Sequence, residues 1–160
     1  MSQSSVLLAG RLECANMTFP QRDKEKTRSA LRDIALCNHF THFLTWTLDA
    51  ALIDRYDIDE VKRRVTSALK NLGFRKGFRY VIVPEFHKDG AIHFHGLCTL
   101  GSVQLCPACN PRTGQPMHTD RGQPIFNMQD WTPGFSTCIP IDENYERTCN
   151  YIVKYLSKDS

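Results

Sequence analysis

Two β-forming runs on either side of an Asp-Gly turn constrain the fold of this chain more than any other feature. FRYVIVPE (78–85) and AIHFHGLCTL (91–100) are rich in β-branched and aromatic residues, and HKDG comes between them. This pattern predicts a β-hairpin. Because side chains two apart on a strand point to one face of a sheet, His93 and His95 should project together.

The length of the turn decides whether a carboxylate joins the two imidazoles. A two-residue Asp-Gly turn pairs Glu85 with Phe94 and sends the carboxylate to the other face. A three-residue loop, 88–90, with Gly90 left-handed, pairs Glu85 with His93. We expect the longer loop and a divalent-metal site. Its ligands would be Glu85, His93 and His95, with His87 at the rim. The alternative is that the histidines simply lie on a half-exposed strand.

Hydrophobic periodicity along the rest of the chain predicts an α+β fold with an antiparallel sheet and packed helices. The helix that follows Asp57 has a capping-box pattern with Glu60, and Gly73 is expected to end it. The expected helices cover 22–37, 57–72 and the chain from Asp142 onwards, and further strands cover 41–49 and 134–141. Residues 101–133 are rich in Pro, Gly, Asn and Gln in their first part, so we expect a long irregular insertion in a single domain of 1–160.

Composition and charge narrow the class of protein. The chain has 160 residues, 41% of them hydrophobic, and no apolar run long enough to span a membrane. Its 7 cysteines, an odd number, favour a reducing cytoplasm over a disulfide framework. Residues 61–84 contain no acid but many basic residues, which indicates either a polyanion-binding surface or a solvated helix face. The DNA-binding candidates are Lys62, Arg63, Arg64, Arg75, Lys76 and Arg79.

The C-terminal segment YIVKYLSK (151–158) carries two candidate nucleophiles. Tyr151 and Tyr155 are four residues apart, so both belong to one helix face. Lys154 and Lys158 each follow a tyrosine by three residues and could stabilise developing charge. Packing of an amphipathic helix is the alternative explanation, and the neighbouring metal motif favours the catalytic one.

The sequence signal for a second metal site is weaker than that of the hairpin. CPAC contributes Cys106 and Cys109, with His118 nearby and Cys138 further on. A lone C-x-x-C is half of a zinc site, and a proline-containing turn with free thiols is the favoured interpretation.

The order FLTWTLD, PEFHKDGAIHFHGL and YIVKYLSKD resembles the three motifs of HUH-superfamily rolling-circle replication initiators. The resemblance is to phage and plasmid replication-associated proteins with two tyrosines in the third motif. It covers about Thr41 to Asp159, and the second and third motifs are specific while the first is weak. The chain carries no phosphate-binding loop of the fused helicases, and it leaves open whether further domains follow residue 160.

The resemblance implies a fold, an activity and a set of partners. The fold would be a ferredoxin-like or RRM-like core, and His93 and His95 would bind Mg²⁺ or Mn²⁺ with Glu85 completing the site. A tyrosine would attack single-stranded DNA at a replication origin, forming a 5′-phosphotyrosine and freeing a 3′-hydroxyl that primes replication. Tyr155, with Lys158, is expected to cut first, and Tyr151, with Lys154, second. The alternative is that Tyr151 lies nearer the metal and acts first. A host helicase and polymerase in the bacterial cytoplasm would be the further partners, with no membrane involved.

Two other functions fit parts of the pattern. An HUH transposase or relaxase would use the same chemistry, but relaxases usually carry their tyrosine near the N-terminus. A non-catalytic RRM-like module would instead bind nucleic acid through sheet aromatics such as Phe43, Trp46 and Phe94. Formation of a covalent DNA adduct separates the enzymes from the binding module.

Overall fold

The structure is a computed structural model and describes residues 8–10, 24–142 and 144–155. In this part of the chain seven strands and three helices are present. The strands are β1 (Leu8–Gly10), β2 (His42–Leu48), β3 (Arg79–Phe86), β4 (Ile92–Thr99), β5 (Leu105–Pro107), β6 (Phe126–Met128) and β7 (Gly134–Pro140). The helices are α1 (Lys24–Asn38), α2 (Ile58–Lys76) and α3 (Tyr145–Tyr155).

All seven strands form one antiparallel sheet in the order β1-β3-β4-β2-β7-β6-β5. The long hairpin strands β3 and β4 and the strand β2 occupy its centre, where each is hydrogen-bonded on both sides. The predicted α+β class is confirmed, and the arrangement agrees with a ferredoxin-like or RRM-like core.

Helix α2 covers one face of the sheet, which we call the α2 face. Its apolar stripe packs on the buried side chains of Leu44, Trp46 and Ile82. Burial of this stripe is the main reason that a helix with so many charged residues forms here. The stripe consists of Val61, Val65, Leu69 and Leu72.

The start of α2 agrees with the sequence, but its predicted end at Gly73 is wrong. The Asp57 carboxylate accepts a hydrogen bond from the backbone N–H of Glu60 at 3.1 Å, as expected of an N-cap. The helix continues through the buried Gly73 to Lys76 and ends at Gly77, whose φ of 68° is left-handed. Either Gly73 or Gly77 could end the helix as far as the local sequence is concerned. Tertiary packing of the turn between them decides that the helix ends at Gly77.

Helices α1 and α3 cover part of the opposite face, which we call the site face. Leu31, Ile34 and Ile152 belong to a second buried cluster with Val83 and Leu97 of the sheet. This cluster occupies the end of the site face near the start of β2. The other end, where Glu85 and His93 lie, is left without a helix in the described part of the chain.

The description of 101–133 as irregular is wrong for part of that segment. Strands β5 and β6 pair with each other, and β6 joins β7 through Phe126 and Cys138. The segment also supplies the buried Trp131, whose ring stacks on that of Trp46 at 4.0 Å with an interplanar angle of 10°. Strand β1 was not predicted either. Such three-residue strands carry too little periodicity to be recognised, and long-range pairing stabilises them.

No helix in the described ranges is long and apolar enough to cross a membrane.

Candidate active site

The hairpin has the three-residue loop that places Glu85 on the site face. Glu85 pairs with His93 in the ladder, and the His87 N–H donates to the carbonyl of Ala91 at 2.8 Å. Gly90 donates back to the His87 carbonyl at 2.9 Å and has a φ of 89°. A side chain at this φ would be strained, so a glycine is needed here. The predicted register and the left-handed Gly90 are both confirmed.

The turn is braced by contacts outside the strands. The Asp89 carboxylate accepts a hydrogen bond from the Ala91 N–H at 3.0 Å and one from the Tyr56 hydroxyl at 3.4 Å. The bond from Ala91, followed by smaller contributions that include Tyr56, lowers the pKa of Asp89 below its usual value. The loop before α2 therefore helps to fix the conformation that aligns the strands.

His95 is held through both of its ring nitrogens. Its Nε2 lies 2.7 Å from a carboxylate oxygen of Glu85, and its Nδ1 lies 3.3 Å from the hydroxyl of Thr45. Thr45 pairs with His95 across β2 and β4, so all three side chains share the site face. The His95 side chain is largely buried, and these partners restrict its rotation.

His93 lies beside this pair and contacts the ring of His87, with ring centroids 3.8 Å apart. Partial burial lowers the pKa of His93, and the neighbouring His87 and His95 lower it further, against a smaller opposing effect of Glu85. The pKa shift favours the neutral imidazole, which is the form that binds metal ions. His87 is exposed and contacts His93, so it lies at the rim of the cluster, as expected.

The chemistry of Glu85, His93 and His95 fits a divalent cation, since two imidazoles and a carboxylate share one face. The His95 Nε2 atom and a Glu85 carboxylate oxygen, both of which would be ligands, are instead hydrogen-bonded to each other through a proton. Within the described residues no group of three such side chains has its donor atoms already directed at one point. Replacing the proton between Glu85 and His95 would release a nitrogen and an oxygen for a shared cation.

Helix α3 brings Tyr151 to the edge of this cluster. The Tyr151 ring lies 5.7 Å from that of Phe43, and Phe43 in turn stacks near His95 at 6.3 Å between centroids. Tyr151 and Lys154 are both exposed. Tyr155 is the last residue of α3, and its side chain, like the whole of Lys158, lies outside the described residues.

The basic residues of 61–84 do not join the histidine cluster. Most of them lie on α2, which packs on the α2 face, whereas the histidines project from the site face. Arg79 is on β3 and pairs with Thr99, at the end of the strand away from Glu85. The residues carried by α2 are Lys62, Arg63, Arg64, Lys70, Arg75 and Lys76.

The cysteines of the possible zinc site and two aromatic residues of the sheet also lie away from the histidine cluster. The thiols of Cys106 and Cys109 contact the backbone carbonyls of Asn127 and Pro107, each at 3.7 Å, and Cys138 is buried in the main core. Trp46 and Phe94 are buried against α2, so they do not form the exposed base-stacking surface that the alternative of a non-catalytic binding module would need. The cause is the period of the strand, which turns both toward the core.

The sequence interpretation missed Phe135 as a candidate for DNA contact. Thr47 pairs with His93 on one side and with Phe135 on the other, so Phe135 lies in the same row of the site face. Its side chain is 66% exposed, which is unusual for a phenylalanine within a sheet. The alternation in GFSTCIPI places Phe135 with Thr137 and Ile139, but only the strand order puts it near a histidine.

Comparison with known proteins gives one match. The sequence model of a family of replication-associated proteins, described under the name ORF2, matches residues 41–160. No curated protein and no solved structure matches the chain significantly. The matched range includes β2, the histidine hairpin and α3, and therefore every element of the candidate site.

Proposed function

Because the chain belongs to this ORF2 family of replication-associated proteins, we propose that it starts rolling-circle replication by nicking single-stranded DNA with a tyrosine. The HUH-type resemblance of the histidine and tyrosine motifs leads to the same proposal. Family membership indicates a role in replication initiation, and the chemistry is inferred from the site.

The observation that carries the proposal is the chain of ring contacts from His95 through Phe43 to Tyr151. These residues come from β4, β2 and α3 and are distant in sequence. A strand of DNA lying on the open end of the site face would meet the histidine cluster and the tyrosine helix together. Exposed Phe135 on the same face offers a further surface for a base.

The reaction balances as a transesterification. The tyrosine hydroxyl attacks the scissile phosphorus, its oxygen forms a bond to phosphorus, and the bond to the 3′ oxygen breaks. The phenolic proton leaves the nucleophile, and the departing 3′ oxygen becomes a hydroxyl after taking up a proton. The phosphotyrosine keeps the phosphoester bond, so a second hydroxyl can later rejoin the strand.

Glu85, His93 and His95 would hold a divalent cation, Mg²⁺ or Mn²⁺, which when bound neutralises charge on the non-bridging phosphate oxygens. Thr45 keeps the His95 ring oriented through Nδ1, and the neutral state of His93 keeps its nitrogen available. Lys154 on α3 would attract the DNA backbone toward the tyrosines, and we propose the same role for Lys158.

The direction of α3 supports Tyr155 as the first nucleophile. The Tyr145 hydroxyl accepts a hydrogen bond from the backbone of Phe40, before β2 begins, while Tyr151 contacts Phe43 within β2. The helix therefore advances along β2 toward the row that contains His95. Its last turn, which ends at Tyr155, continues in that direction.

Covalent capture of DNA tests the proposal. The protein is incubated with Mn²⁺ and a single-stranded DNA library with a randomised central stretch, and the products are separated on a denaturing gel. We expect a protein band shifted by linked DNA, and no shift for the double variant Tyr151→Phe/Tyr155→Phe. Absence of any adduct from the wild-type protein would indicate a binding module instead, and a persistent adduct in the double variant would exclude these tyrosines.

A further inference from the structure

A groove lies between α3 and the turn at 119–123, beside the candidate active site. Its volume is about 240 Å³. Its floor is mostly apolar and comes from β2 and the end of β7, and its rim carries two arginines. The floor residues are Phe43, Ile139, Pro140 and Ile141, and the arginines are Arg121 and Arg147.

The wall opposite α3 belongs to the segment 101–133, which the sequence predicts to be irregular, and two hydrogen bonds hold it in place. Thr119 and Gln123 close the turn with a backbone hydrogen bond of 2.9 Å. The Gln123 side-chain amide also donates to the Pro140 carbonyl at 2.9 Å, which ties the turn to the end of β7. The groove is therefore formed before any ligand binds.

The groove is continuous with the candidate active site through two shared residues. Phe43 and Tyr151 both line it, and Phe43 also contacts the His95 ring. A nucleotide in the groove would therefore contact Phe43 and Tyr151, the two residues that connect the groove to the histidine cluster.

The chemistry of the groove suits one nucleotide. An apolar floor that includes a phenylalanine favours a planar base, and stacking of a base on an aromatic ring is worth about 1–3 kcal/mol. The volume is below the range of about 300–1,000 Å³ typical of pockets for larger ligands. Arg121 is paired with Asp142 at 3.7 Å, which leaves Arg147 as the arginine on α3 for a phosphate.

We propose that this groove binds one nucleotide of the single-stranded DNA next to the cleaved bond and selects its base. The inference rests on the proposed function and adds a specificity site to it. The base lies on the apolar floor, and Arg147 contacts the adjoining phosphate. The 119–123 turn thereby takes part in choosing where the strand is cut.

The test uses the randomised library and Mn²⁺ with the full chain. The linked DNA is sequenced, which gives the base preference at each position around the cut. Thr148→Trp narrows the groove from the α3 wall, and Arg147→Ala removes the phosphate contact. Arg112→Ala is the matched control, because Arg112 is an exposed arginine of the same segment that does not line the groove. It lies in the turn at 110–115, which the short stretch 116–118 separates from the 119–123 turn.

We expect Thr148→Trp to change the preference at one position next to the cut and to leave the other positions unchanged. Arg147→Ala should lower the adduct yield at limiting DNA by at least about tenfold, since one charge-assisted hydrogen bond is lost. Wild-type yield and preference in both groove variants would overturn the inference while the proposed function stood. Failure of the wild-type protein to form any adduct would overturn both.

Discussion

His95 is the residue on which the candidate site depends most, because it contacts Glu85, Thr45 and the ring of Phe43. We predict that His95→Ala lowers the adduct-forming rate by more than about 100-fold, since even supporting residues of metal sites are worth about 10- to 100-fold. Thr45→Val, which removes only the hydrogen bond to His95 Nδ1, should lower this rate by a smaller factor. Single-turnover assays with Mn²⁺ measure both, and circular dichroism checks the fold. A His95→Ala variant with the wild-type rate would remove His95 from the reaction.

The two tyrosines are expected to have different roles at the residue scale. Tyr155→Phe should abolish the first adduct, whereas Tyr151→Phe should retain it and lose only the later joining step. The reason is the direction of α3, whose last turn extends toward the histidine row. Denaturing gels of each single variant on the captured DNA sequence decide this. Loss of the adduct in Tyr151→Phe alone would reverse the order.

Protonation of His93 gives a further prediction. Burial and the neighbouring histidines lower its pKa, so its NMR titration midpoint should fall below the usual 6.5. Because the unfolded chain would take up this proton first, acidification below that value should reduce the free energy of unfolding. His87→Ala should raise the pKa of His93 only part of the way back to 6.5, because the burial of His93 still lowers it. A midpoint at or above 6.5 in the wild-type protein would contradict the prediction.

At the scale of elements, the hairpin depends on the left-handed glycine of its turn. Gly90→Ala should lower the free energy of unfolding by about 1–2 kcal/mol, because φ of 89° strains an alanine. Gly90→Asn should cost less, since asparagine tolerates positive φ better. Urea denaturation measures both, with Lys88→Ala in the same exposed turn as the control. Equal stability of the alanine and asparagine variants would show that backbone strain is not the cause.

At the scale of the whole molecule, the sheet separates the charges of α2 from the histidine cluster. We expect the strand to contact α2 as well as the histidine cluster, so a variant with Arg63→Ala and Arg64→Ala should bind single-stranded DNA more weakly. Each lost phosphate contact would reduce the slope of log affinity against log salt by about 0.7. The single-turnover rate at saturating DNA should stay unchanged. A reduced rate would place these arginines at the reaction after all, and an unchanged slope would make them part of a solvated surface.

Local patterns determined much of this protein. The alternation in the hairpin put His93 and His95 on one face, and the choice of a three-residue loop brought Glu85 beside His93. The cap at Asp57 likewise depended only on nearby residues. Such features follow from the sequence because the period of a strand, the length of a turn and the geometry of a cap are properties of adjacent residues.

Other features were decided by the tertiary structure alone. The strand order placed Phe135 in the row of His93, and packing on opposite faces separated the α2 charges from the histidines. The extension of α2 to Lys76 and the short strands β5 and β6 also depended on long-range contacts. These outcomes depend on which distant segments bury their apolar surface against each other, and that free energy is not carried by any local pattern.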